Sequence, residues 1–278
     1  MIEHQPTICI LVPVLNEVQN IDELVRRIAP ALRNRDYHIC FVDDGSRDGT
    51  VDRIRYEQKL SDYRIHLIER TKEKRGSQRG SALFAAMMWA LESTQCQIIV
   101  EMDGDLSHRP DELGTGLAML DSDVADVVIA SKYLAGSQVT NRPIARRLVS
   151  TICNFAVRLL ISRSISDYSN GYRFYTRAAA QVLAETKIVY ASPIYLTEVI
   201  GIWMSRGLRV REFPSHYVGR NEGLSKLRFI DLVKAAIAIF EVAYRFHVGG
   251  FEKSSYSRSV EMAKALSKKS SLNRSLRE

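Results

Sequence analysis

Long apolar runs, paired cysteines and phosphate-loop glycines are all missing from this chain of 278 residues. No uninterrupted apolar stretch reaches the roughly 18 to 20 residues needed to span a bilayer. The two best candidates are broken, Leu148 to Ile161 by Arg158, and Phe229 to Tyr244 by Asp231, Lys234 and Glu241. An integral membrane protein is therefore not expected. Nor is a secretory leader, because Met1 to Pro6 is polar and the first apolar run is short. The four cysteines, Cys9, Cys40, Cys96 and Cys153, form no CxxC pair and no Cys/His ligand spacing. Buried, reduced thiols of a cytosolic protein are the expectation.

A dinucleotide fold needs G-x-G-x-x-G directly after its first strand. P-V-L-N-E stands there instead, and the Walker pattern is absent too. Gly76-Ser77-Gln78-Arg79-Gly80 follows the third strand and reads as a turn into a helix. Dehydrogenase and P-loop chemistry are excluded on these grounds. The net charge of +7 favours anionic partners: nucleotides, phosphorylated substrates or an acidic membrane surface. Nucleic acid is not among them, for want of an aromatic-basic recognition motif.

What is present is alternation. Thr7 to Val14 is a continuous apolar run, as a strand covered on both faces requires. Val18, Ile21, Leu24, Val25, Ile28 and Leu32 then recur at helical spacing. Tyr37 to Val42, Arg64 to Ile68, Gln97 to Met102 and Ala125 to Ser131 read as further strands. Val51 to Leu60 and Ser81 to Glu92 read as helices between them, and Pro110 is placed to start another. The fold class is α/β, with βαβ units and a mainly parallel sheet through about residue 131. Beyond it come a polar loop, a long amphipathic segment to Ile161 and more mixed elements to Pro214. The last 27 residues, from Glu252, carry seven basic side chains against three acidic and read as a frayed or weakly helical tail.

Ligands of open parallel sheets bind at the carboxyl ends of the strands. Asn16 and Glu17 follow the first strand, Asp43 and Asp44 end the second, and Asp103 and Asp105 end the fourth. Asp48-Gly49-Thr50 is accounted for as a turn and helix cap. An Asp-x-Asp turn can hold one hard divalent cation that takes further ligands from a diphosphate, whereas two carboxylates without one repel.

PVLNE, VDDGSRDGT and MDGDLSH, in this order and at these strand ends, resemble family 2 glycosyltransferases of the GT-A fold. SKY (131–133), RRLVS (146–150), SDYSNGYRFY (166–175) and RNEGLSK (220–226) are similar to the polyprenol-phosphate mannosyltransferase branch, typified by dolichyl-phosphate mannose synthases. The likeness runs from about Ile8 to Val248. It implies one catalytic domain over 1–251, with a nucleotide-sugar half (7–131) and an acceptor half with interfacial helices (132–251), followed by the tail (252–278). Pro13, Leu15 and Glu17 would line the nucleotide pocket, and Val42 and Asp44 would hold base and ribose. Asp103 and Asp105, with Gly104 between them, would bind Mg²⁺ or Mn²⁺ together with the donor diphosphate. Ser107 takes the position where the family often has Gln as a further metal ligand. Lys132, where Arg is usual, would serve donor and acceptor sites alike, and Arg146 and Ser150 would face the acceptor phosphate. Arg220 and Lys226 would close over the donor phosphates.

The implied reaction is inverting transfer of a hexose to dolichyl or polyprenyl phosphate, with mannose from GDP-mannose as the expected donor. Around Pro193-Ile194-Tyr195 the chain departs from the family's aromatic-and-basic stretch, which leaves UDP-glucose as an alternative; a glycan-directed transferase of the same fold is a further one. A lipid phosphate, its second pKa about 6, needs no general base, which suits a chain without a convincing His/Asp pair. A peripheral position on the cytoplasmic side of an anionic membrane is expected, with a membrane-embedded protein partner as an added expectation.

Overall fold

Four of the apolar runs lie side by side. In the computed structural model, which describes residues 7–61, 64–70, 79–141, 143–219 and 229–254, β1 (Ile8–Val14), β2 (Tyr37–Asp43), β3 (Ile65–Glu69) and β4 (Ile98–Glu101) pair in parallel in the order β3-β2-β1-β4. Helices α1 (Ile21–Ala31), α2 (Thr50–Leu60) and α3 (Arg79–Ser93) make the crossovers. Side chains alternate across a strand, so β1 feeds two cores. Cys9 and Leu11 join Ala82, Leu83 and Met87 of α3, while Ile8, Ile10 and Val12 join Leu24 and Ile28 of α1. Burial on both faces is why the run shows no polar alternation.

Beyond β4 the order departs from simple alternation. The chain passes through a short 3₁₀ turn (Pro110–Glu112) and α4 (Leu113–Asp121) to β5 (Val127–Ser131), which does not pair with β4. Antiparallel to both, β7 (Arg173–Thr176) lies between them, and β8 (Val210–Pro214) forms the edge beside β5. A four-residue strand in a mixed segment carries too weak a period to be read from sequence. It packs closely against α4: a Cβ on Gly116 would lie 2.6 Å from the Phe174 ring. Because β7 completes the sheet begun by β1 to β4, the two halves share one sheet. A small parallel pair, β6 (Gln138–Thr140) and β9 (His216–Val218), sits apart from it.

The remaining helices are α5 (Ile144–Leu160), α6 (Arg177–Ala184), α7 (Tyr195–Ser205) and α8 (Phe229–His247). No helix among the described residues is long and apolar enough to cross a membrane. Val157 of α5 and Val242 of α8 are buried, yet Leu148, Ile152, Phe155 and Leu159 on one helix and Ile237, Phe240 and Tyr244 on the other are exposed. Between the two helices runs an apolar groove of about 280 Å³, lined by Val149, Ile152, Cys153, Leu160, Ile239 and Phe240. The cysteines are free, three of them buried and Cys153 half-buried, and burial pushes the Cys40 thiol up to about 12. Residues 255–278, most of the tail, lie outside the described residues.

Candidate active site

The ends of β1 and β2 are knitted together by short polar side chains. Asn16, left-handed at φ 57°, donates its amide N–H to Ser46 Oγ at 2.8 Å and accepts from the Arg47 amide at 2.8 Å. Asn tolerates that conformation better than most residues. Asp43 accepts from the amides of Gly45 and Ser46, and Asp48 from those of Thr50 and Val18. Asp48 is therefore a turn and cap residue, as the sequence suggested. Glu17 is buried and accepts from the Asn20 side chain at 2.7 Å, and Asp44 Oδ1 lies 3.5 Å from the Arg70 guanidinium. Leu15 is exposed, Pro13 half-buried, and Val42 wholly enclosed in the core. Of the described residues assigned to the nucleotide, Leu15 is thus the exposed one, and Val42 is enclosed.

At the exit of β4 the loop bends hard against β1. A Cβ on Gly104 would meet Val14 Cγ1 at 2.8 Å, so glycine is what lets Asp103 and Asp105 flank that contact. Leu106 is left-handed at φ 60°, and Asp105 Oδ1 accepts from the Ser107 amide at 3.0 Å. Asp103 donates its backbone N–H to His108 Nδ1 at 3.0 Å, which places the ring proton on Nε2, and Nε2 donates to Asn170 Oδ1 at 3.0 Å. The ring stacks on Tyr172, centroids 5.1 Å apart. Burial lowers the His108 pKa, with Arg79 and Lys132 adding to it against Asp103 and Asp105. The imidazole is a neutral strut. On its other side Asp103 meets Arg79, Oδ1 to Nη2 at 2.6 Å.

Lys132 follows β5. Its side chain is only 6% exposed, with Nζ 3.8 Å from Asp167 Oδ2 and 5.1 Å from the centre of the Tyr217 ring. Asp167, fully enclosed, also accepts from the Lys132, Ser169 and Asn170 amides. Burial pushes its carboxyl up, but the Lys132 charge and these donors outweigh it and hold the pKa below the ordinary value. Glu212 in turn accepts from the Ser166 and Asp167 amides, and Asn170 donates to the Ala130 carbonyl. The loop 166–171 is thereby locked, and Asn170 joins the loop after β4, through His108, to the end of β5. Ser150 Oγ is 3.0 Å from the Tyr133 hydroxyl. Arg220, Lys226 and the Arg146 side chain lie outside the described residues.

Beneath the loop, Glu101 is buried with the Tyr175 and Tyr195 hydroxyls on Oε1, at 3.1 and 3.2 Å. Arg173, equally buried, donates to the carbonyls of Asn170 and Leu196. His108, Asn170, Asp167 and Arg79 were not singled out from the sequence. The first three sit within quoted motifs, and the spacing of the motifs gave no sign of which member turns inward.

Donor chemistry decides whether a divalent cation fits. Among the described residues no group of three or more His, Cys, Asp and Glu gathers as a metal cage. A pair of carboxylates is what Mg²⁺ or Mn²⁺ uses when waters and a diphosphate complete its shell. Arg79 already sets a positive group against Asp103, and Ser107 Oγ is buried without a hydrogen-bond partner among the described residues. The residues present fit such an ion.

Fold and site together define a glycosyltransferase of the GT-A architecture. The chain belongs to glycosyl transferase family 2, whose family model matches residues 9–183. Polyprenol monophosphomannose synthase of Mycolicibacterium smegmatis is 31% identical over 85% of this chain and 86% of its own length. Undecaprenyl-phosphate mannosyltransferase of Micrococcus luteus is 28% identical over 78% and 86%. Dolichol-phosphate mannosyltransferase of Pyrococcus furiosus is 30% identical over 59% of this chain and 45% of its own. Among solved structures, glucosyl-3-phosphoglycerate synthase of Mycobacterium tuberculosis, crystallised with Mn²⁺, UDP-glucose and phosphoglyceric acid, shares the fold. Its TM-score is 0.65 at 16% identity, over 86% of this chain and 80% of that one.

Proposed function

We propose that this enzyme moves mannose from GDP-mannose onto a polyprenyl or dolichyl phosphate at a membrane surface. The observation that carries the reading is the opposition of charge across one locked loop. Asp103 and Asp105 end β4, Lys132 ends β5, and His108 and Asn170 fix the distance between them. One end suits a cation shared with a diphosphate, the other an anionic acceptor. The identities of the curated relatives support mannose and the lipid phosphate.

In this reading Asp103 and Asp105 hold Mg²⁺ or Mn²⁺, with Ser107 close by. The ion would supply charge neutralisation for the departing nucleoside diphosphate. Lys132, Arg146 and Ser150 orient the acceptor phosphate, and Arg220 and Lys226 hold the donor phosphates. The acceptor oxygen is already ionised near neutral pH, so no side chain has to remove a proton, and the neutral His108 is free to act as a support. Attack from the face opposite the leaving group inverts the anomeric carbon, from an α-linked donor to a β-linked product. The exposed apolar faces of α5 and α8 would lie in the headgroup region, as interfacial helices do. The basic tail would add about 1 kcal/mol per Lys or Arg near anionic lipid.

Incubation of the purified protein with Mg²⁺, polyprenyl phosphate and radiolabelled GDP-mannose or UDP-glucose tests this reading. Label from GDP-mannose should enter the organic phase. Label from UDP-glucose alone would transfer the reading to a glucosyltransferase, and label from neither would end it.

A further inference from the structure

Arg79 stands against Asp103, one of the two carboxylates proposed above to hold the metal. It is the first residue of α3, and its Nη2 reaches both Asp103 Oδ1, at 2.6 Å, and the Gly171 carbonyl, at 3.5 Å. The second Asp103 oxygen lies 3.6 Å from His108 Nε2, whose proton is directed to Asn170. The guanidinium is therefore the cation the structure sets on this carboxylate.

Two details separate this contact from an ordinary structural ion pair. Arg79 Nε is buried and has no hydrogen-bond partner among the described residues, so the guanidinium is anchored at its tip alone. Gly171 supplies the room: a Cβ there would collide with the Arg79 guanidinium. The backbone of Gly171 is outside the left-handed region, so glycine is not required there by conformation. Space for the Arg79 side chain is what the missing Cβ provides.

A divalent cation on Asp103 would share that oxygen with a positive guanidinium at a few ångströms, in a partly enclosed site where like charges repel strongly. We propose that Arg79 and the divalent cation compete for Asp103, so that metal binds tightly only once the donor's diphosphate draws the guanidinium away. Arg79 is then a positioning residue that couples the two ligands. Coupling of this kind is reciprocal, so removing Arg79 tightens metal binding alone and shrinks the gain that nucleotide brings. The inference rests on Asp103 and Asp105 being the metal pair.

Mn²⁺ binding to the full chain, read by electron paramagnetic resonance of the free ion with and without GDP, tests it. Arg79→Gln should bind Mn²⁺ without GDP at least about tenfold more tightly than wild type. Gly171→Ala, which alters neither partner of the pair, should shift in the same direction, and Asp103→Asn should lose binding. GDP should tighten Mn²⁺ binding more in wild type than in Arg79→Gln. Thermal melts establish that each variant is folded, and if Arg79→Gln is not, Gly171→Ala decides. Unchanged or weaker Mn²⁺ binding in the Arg79 and Gly171 variants, with binding lost in Asp103→Asn, overturns the competition and leaves the metal pair standing. An equal GDP effect in wild type and Arg79→Gln overturns the coupling. Mn²⁺ binding that is absent, or indifferent to Asp103→Asn, overturns the metal pair and this inference with it.

Discussion

At the exit of β4, the Asp103 side chain is 20% exposed and braced from one side by an arginine that is itself 23% exposed. At the exit of β5, Lys132 is 6% exposed and its partner Asp167 not at all. Both places set a carboxylate against a cation at the carboxyl edge of the same sheet, yet they differ in what the charge is free to do. The β4 pair can part, because solvent can rehydrate each member. The β5 pair cannot part cheaply, since both members are enclosed and water cannot readily replace the partner. Exchange of partners belongs to the first, while the second holds Lys132 in place and shapes the loop that carries Asn170.

The sharpest way to break this contrast is Asp167→Ala. It removes the enclosed carboxylate set against Lys132 and frees the amides of Lys132, Ser169 and Asn170. A loss of about 3–5 kcal/mol in urea unfolding is expected. Because the folded pKa of Asp167 is depressed, its contribution is full above the ordinary carboxylate value of about 3.9 and is lost as pH falls through the lower folded value. Asp167→Asn should therefore flatten the acid limb of the stability curve. A curve identical to wild type would remove Asp167 from the account.

Next in size, Asp103→Asn or Asp105→Asn should leave the melting temperature nearly unchanged while transfer falls at least about a hundredfold, the usual loss when transition-state charge stabilisation goes. EDTA should reproduce the loss, and added Mg²⁺ or Mn²⁺ should reverse it. Full activity in EDTA would leave the β4 carboxylates without their role.

A smaller effect is expected from Arg146→Ala. Losing one charged contact to a phosphate should raise the KM for lipid phosphate about tenfold, with little change for the nucleotide sugar. An equal rise for both substrates would place Arg146 elsewhere. The smallest change concerns attachment. Phe155→Glu or Phe240→Glu, each altering a side chain about 60% exposed, should lower flotation with anionic liposomes a few-fold. Flotation as strong as wild type would return both faces to ordinary surface.

How much of this was legible in the sequence follows the same division. Continuous apolar strands with carboxylates at their exits are local patterns, and a mainly parallel sheet could be read from them, though not the order β3-β2-β1-β4. The insertion of β7 could not, because four residues at the end of a polar loop carry no period, and their pairing with β4 and β5 is made across distant parts of the chain. The carboxylates at the strand exits were visible as such. The enclosure of Lys132 was not visible, since it depends on Asp167, 35 positions away, which Glu212 holds in turn across 45. Arg79 was read as part of a turn, because its meeting with Asp103 depends on how α3 is laid against the sheet.

The central claim is direct, metal-dependent transfer to a lipid phosphate, and the anomeric configuration of the product tests it most closely. Isotope-labelled GDP-mannose, polyprenyl phosphate and Mg²⁺ would be incubated with the enzyme and the lipid fraction read by NMR. The account predicts a β-linked mannosyl phosphate that forms with Mg²⁺ and fails to form in EDTA. An α-linked product, or a β-linked one made equally well in EDTA, would contradict it.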